Sequence, residues 1–151
     1  MTQSVMERFL SDTPVIVRFM EIEKEMLESP LRIHVEPVHR FAEGLYCRQF
    51  TMPAGSVWMS RVHKHENYAF IMSGSCTVVS EAGRETLYAP FMTKTFRGTK
   101  RLLLIHEECT WITVHALPPG MDDATPTEEI EEYFGCNTFE EYDKCLLEAE
   151  I

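Results

Sequence analysis

No apolar stretch in this chain approaches the roughly 20 residues that a membrane-spanning helix needs. The first ten residues, MTQSVMERFL, place an acid and a base where a secretory signal would carry its apolar core. The expectation is an intracellular protein. Closely spaced cysteines are missing too. Cys47, Cys76, Cys109, Cys136 and Cys145 are odd in number, widely spaced and free of any C-x-x-C pair. That excludes a disulfide framework and a zinc knuckle and leaves reduced thiols used as small buried hydrophobes. The sequence also lacks a P-loop, a nucleophile elbow, an H-E-x-x-H helix and a cysteine–histidine pair with a supporting acid, so nothing in it specifies a nucleophile.

Bases are almost absent from the C-terminus. Residues 122–151 hold eleven acids and one base, a net −10 that equals the formal charge of the whole chain. The other 121 residues hold thirteen acids and thirteen bases. Phosphate contact needs a basic face and an acidic tail repels it, which argues against nucleic-acid binding. The tail reads as a solvated helix face.

What is present suits one globular domain: 151 residues, 44% of them hydrophobic and 11% aromatic. In VIVRFMEIEKEMLESP, Val15, Phe19, Ile22, Met26 and Leu27 recur at helical spacing, and Pro30 ends the run. From about Arg32 the period shortens. LYCRQFTMPAG, SVWMSRVHK, NYAFIMSG, SCTVVSEAG, RETLYAP, KRLLLIHEE and CTWITVHAL are strand-like runs, with turns expected at 53–55, 73–75, 81–83 and 97–99. Such spacing predicts an antiparallel sandwich or barrel. After PPGMDDATP helix returns: Thr125 is placed to cap a helix starting at Pro126 with Glu128 completing the box, and a second helix is expected from Thr138 with Glu141 reciprocal. Phe139, Tyr142, Leu146 and Ala149 form its narrow apolar stripe. Three segments follow, 1–30 helical, 31–118 β and 119–151 acidic and helical.

Between Gly55 and Gly74 lies GSVWMSRVHKHENYAFIMSG. Strand alternation puts Arg61, His63, His65 and Asn67 on one face, unless a bulge at Lys64 turns His65 outward. The frame of two glycines, together with FRGTKR at 96–101, resembles the motifs of the cupin superfamily, small antiparallel jelly rolls. In that family's pattern, G-x5-H-x-H-x3,4-E-x6-G and P-x-G-x-x-H, the four metal-ligand positions fall here on Arg61, His63, Asn67 and Arg101. The spacing is kept and the ligands are not, because guanidinium has no lone pair to give a metal. The wider set, VHKHEN, GTKR, HEECTW and the closing T-x-H, is similar to a group of cupin-like proteins encoded by tailed bacteriophages. It touches His63, Lys64, Glu66, Asn67, Gly98 to Arg101, His106, Glu107, Trp111, Thr113 and His115.

The resemblance implies a single β-barrel of the jelly-roll type with an N-terminal helix and acidic C-terminal helices. It also implies a phage setting, either host cytoplasm or virion, and supplies no activity. The leading expectation is a non-enzymatic accessory or structural protein, or a binder of a small anion through Arg61, His63, Asn67, Arg101 and His115, with no cofactor. The competing enzyme reading is a metal-dependent isomerase, epimerase or dioxygenase holding a divalent metal on His63, His65 and His115. A purely structural network would instead pair Arg61 or Arg101 with Glu107 or Glu108. His106 reads as part of a loop, and His34 and His39 as exposed. Expected partners are a second copy of the chain, a small anionic ligand or a phage or host protein, with self-association or docking through the acidic helices as a third reading. Neither nucleic acid nor membrane is expected.

Overall fold

The computed structural model describes residues 15–149, so the part of the N-terminal segment at 1–14 lies outside the described residues. Helix α1, Val15–Glu28, forms where the apolar stripe predicts it. Phe19 and Ile22 are buried against Val79 and Leu102, with Met26 beside them. Leu27 is not part of that contact and stays exposed. Among the described residues no helix is long and apolar enough to cross a membrane.

Nine strands follow among the described residues: β1 Val38–Ala42, β2 Leu45–Met52, β3 Val57–Met59, β4 Val62–His63, β5 Asn67–Ser80, β6 Gly83–Tyr88, β7 Phe91–Thr95, β8 Leu102–Ala116 and β9 Gly135–Cys136. The fold is mainly β and antiparallel, as expected, and it rests on β5 and β8. These 14- and 15-residue strands pair along their length. The first part of β5 also pairs with β7 and the last part with β6. In β8 the order is reversed, since its start pairs with β3 and its end with β2. One continuous ladder therefore carries two half-sheets, β1-β2-β8-β5-β7 and β3-β8-β5-β6. The ladder is not closed into a complete barrel.

Two expected breaks are absent. Gly74 is not a turn between strands but a bend inside β5, where the register against β8 shifts between Ile71 and Cys76. Its φ is +82°, and a Cβ there would overlap the backbone carbonyl of Glu108. Only glycine allows that backbone so close an approach. His106 and the acids after it likewise belong to β8. β1 and β7, hidden in short mixed sequences, complete the sheet. Inside, Met52, Ile71, Cys76, Leu103, Ile105, Cys109 and Trp111 form the main core. Three cysteines are buried, two are half-buried, and all five are free thiols.

The C-terminal helices are α2, Thr127–Phe134, and α3, Phe139–Ala149. Thr125 does not cap α2: Pro126 holds that position with no side-chain cap bond, and the Thr125 hydroxyl instead accepts from the Asp122 amide. Thr138 does cap α3, accepting from the Glu141 amide at 3.1 Å. The Glu141 carboxylate reaches back to the amide of Asn137, one residue before the cap. α2 buries Ile130 and Phe134 against Tyr46, so the acidic segment is part of the folded body. β9 continues this docking by pairing with β4.

Candidate functional site

The inner face of the β2-β8-β5-β7 half-sheet is built in rows, because residues two apart on a strand share a face. Phe50, Trp111, Ile71 and Phe91 form an apolar row by register. The next row holds Arg48, Thr113, Ala69 and Thr93. Beyond it Tyr46 pairs with His115 and Asn67 with Thr95. The interior thus changes from apolar to polar within about two residue steps along each strand.

His63 and Arg101 complete the polar layer from the chain crossing it. The His63 amide donates to the carbonyl of Thr99 and its own carbonyl accepts from Gly98, while Ser60 and Arg101 bond through their backbones at 2.8 Å. The turn at 97–99 is thereby held against β4, which carries Arg101 toward His63. The Asn67 amide donates to His63 Nδ1 over 3.4 Å, a long bond. Burial, then the positive fields of Arg101, His115 and Arg48, pulls the His63 pKa down to about 3. Burial first, then Arg48 and His65, pulls His115 down to about 4. Both rings are neutral at pH 7, which makes them hydrogen-bonding groups rather than cations.

The layer is under-satisfied. Asn67 Oδ1, Thr95 Oγ1, His115 Nδ1 and Arg48 Nε are buried with no hydrogen-bond partner among the described residues. Buried polar atoms normally have partners, so these four mark room for ordered water or for a bound molecule's polar atoms. Arg48 gives its NH2 group to Glu131 at 3.0 Å and lies 4.4 Å above the Phe50 ring. Arg101 has no such acid. Its guanidinium stands 5.9 Å from the centroid of Trp111, burial lowers its pKa, and no carboxylate among the described residues forms an ion pair with it. Neither Glu107 nor Glu108 serves: Glu107 accepts from Ser75, and Lys100, the neighbour of Arg101, pairs with Glu23 and Asn137. Arg101 instead lines a cleft of about 410 Å³ that opens between the β5–β6 hairpin and the end of β7.

Of the residues expected at the site, His63, Asn67, Arg101 and His115 come together here. Arg61 does not join them. Its guanidinium donates to the Glu131 carbonyl at 2.9 Å and to Asn137 Oδ1 at 3.2 Å, clamping the C-terminal segment from outside. His65 departs as well, because the chain bends at Lys64 and His65 and breaks the strand alternation. Its ring stacks on Tyr133 at 4.4 Å. The set His63, His65 and His115 is therefore not assembled, and among the described residues no group of three His, Cys, Asp or Glu side chains could hold a metal ion. Two neutral imidazoles, an amide and two guanidinium groups are also the wrong donor set for a divalent cation.

Sequence reading missed Arg48 and Thr95, and named Thr113 only as part of the resemblance. Arg48 carried a usable signal, a charge in phase with Tyr46, Phe50 and Met52 on a strand that otherwise buries that face. His39, expected to be exposed, bonds the Tyr46 hydroxyl at 2.5 Å. Tyr46 stacks on Phe134, and burial pushes its pKa up to about 12.

No family model matches the chain, and no curated protein matches it. Among solved structures it is similar to a cupin-2 domain protein from Shewanella frigidimarina, at 12% identity and a TM-score of 0.47, covering 64% of this chain and 92% of that one. KdgF from Halomonas sp. gives 12% identity and 0.49, over 58% and 84%. The EutQ protein of Clostridium difficile gives 12% and 0.46, and the match spans 54% of this chain and 61% of EutQ.

Proposed function

We propose that this protein binds a small anion in its polar interior and performs no chemistry on it. The observation that carries this reading is Arg101, a guanidinium that lines a cleft and is held in no ion pair, the acid of the same lining, Glu85, being exposed. Leaving a charge desolvated and unpaired is costly, and an anionic ligand offsets that cost. A nucleophile or a general base is not part of the proposal: at about 3 and about 4 the His63 and His115 rings are weak bases, and their hydrogen bonds run to Asn67 and Thr113 rather than to a carboxylate. The phage setting and assembly into a homo-oligomer remain part of the proposal on the sequence pattern alone.

The test is thermal denaturation at constant ionic strength in acetate, benzoate, phosphate or chloride. At least one organic or phosphate anion is expected to raise the melting temperature above that in chloride, and Arg101→Gln is expected to abolish the rise. Equal responses from the two proteins would remove the anion site.

A further inference from the structure

The cleft beside Arg101 has a composition that narrows the ligand beyond "anion". Half of its lining is apolar or aromatic, with Trp111, Phe91, Phe96, Val78 and Leu87 in it, and half is polar or charged. Its charges nearly cancel. Lys94 is held by Glu66 at 3.2 Å, and Arg84 and Glu85 are adjacent, opposite and exposed at the rim. Arg101 is the lining cation that is neither exposed nor held in an ion pair. Arg48, the other guanidinium of the interior, already has Glu131.

We infer that the cleft takes a monocarboxylate carrying a flat apolar body of about one ring. The inference rests on the anion reading above and specifies it. A guanidinium presents a planar fork that matches a carboxylate in two parallel hydrogen bonds. One uncompensated cation is neutralised by one negative charge. A phosphate dianion would leave an excess charge in a desolvated place, which is costly. The apolar body follows from the aromatic side chains still in contact with water, because a small hydrated anion such as acetate would leave the half-buried Phe91 and the exposed Phe96 uncovered. A ring laid against them, beside Trp111, covers that surface and uses the offset stacking aromatic pairs prefer. The volume agrees, since about 410 Å³ is near the lower end of the roughly 300–1,000 Å³ typical of small-molecule sites. Thr93 and Thr99, also in the lining, offer hydroxyls to the carboxylate or to a polar ring substituent.

Trp111 is itself the reporter. In a Trp58→Phe background it is the remaining tryptophan, and its fluorescence is followed at fixed ionic strength while benzoate, acetate, benzyl alcohol and inorganic phosphate are added in separate titrations. Benzoate is expected to saturate. Acetate lacks the ring and benzyl alcohol the charge, and each is expected to bind at least about tenfold more weakly. Arg101→Gln should weaken benzoate by about tenfold or more, and Arg101→Lys should fall between. Phosphate binding more tightly than benzoate, or acetate matching it, overturns the ring-carboxylate inference and leaves an anion site in place. No Arg101-dependent response to any of the three anions overturns both. Should Arg101→Gln fail to fold, the ranking of the four probes on the unsubstituted site decides the question alone.

Discussion

Arg101 and Trp111 face one another across the interior, guanidinium carbon to ring centroid 5.9 Å, with no carboxylate joining them. A weak cation–π contact at that distance compensates little of the desolvation of a guanidinium. The free protein therefore retains a group that its own stability does not favour. Arg101→Met keeps the volume and removes the charge, and it should stabilise the ligand-free protein by about 1–3 kcal/mol. Urea denaturation reads this directly. A loss of stability on this substitution would mean that Arg101 has a structural partner and would count against a ligand site.

The buried histidines set a pH dependence. His63 and His115, at about 3 and about 4, lie below the ordinary 6.5, so between those values the unfolded chain binds protons that the folded one refuses. Their stabilising contribution is complete above about pH 6.5 and is lost progressively as pH falls toward 4. The slope is up to about 1.4 kcal/mol per pH unit for each ring. Denaturation midpoints at pH 7, 6 and 5 should fall in order, and less steeply in His63→Gln and His115→Gln. Unchanged slopes in both variants would show that the rings are not buried neutral.

Arg61 has the opposite role from the one its place in the motif suggests. Because its guanidinium holds Glu131 and Asn137, Arg61→Ala should loosen the C-terminal segment and cost about 1–2 kcal/mol. Limited proteolysis should cut earlier between α2 and α3 while benzoate affinity stays within about twofold of the unsubstituted protein. A large loss of ligand binding with intact proteolytic resistance would return Arg61 to the site.

Gly74 is the residue least open to change. Alanine there combines a positive φ with overlap on the Glu108 carbonyl, and the bend in β5 must open to relieve it. Gly74→Ala is expected to cost roughly 2–4 kcal/mol or to prevent folding. A variant as stable as the parent by chemical denaturation would mean that the bend is not a fixed feature.

Parts of this fold are legible in the amino-acid sequence. The stripe from Phe19 to Met26 could only be a helix, and the Thr138 cap followed from a local pattern of hydroxyl and acid three residues apart. The frame from Gly55 to Gly74 put His63 and Asn67 on one face, and their side chains do meet, since both lie in strands whose alternation is local. Arg61 and His65 escaped the same logic because neither lies in a strand: Arg61 precedes β4, and His65 sits in the bend that follows it. Gly74 was misread for a related reason: glycine marks both turns and bulges, and the distinction depends on what the chain meets on the other side. Here that is the β8 backbone, 34 residues further along at Glu108.

The sequence by itself determined a mainly β, antiparallel protein with helices at its ends, free thiols and a strand carrying His63 and Asn67. Those properties follow from period, spacing and residue chemistry, which are local. Only the tertiary structure decided which polar groups face inward together and which acids they meet. Glu131 reaches Arg48 across 83 residues, and Glu23 reaches Lys100 across 77. Arg101, one position beyond Lys100, meets none. Pairing of charge is a property of distance in space, so the unpartnered guanidinium that points to a ligand could be found only in the folded chain.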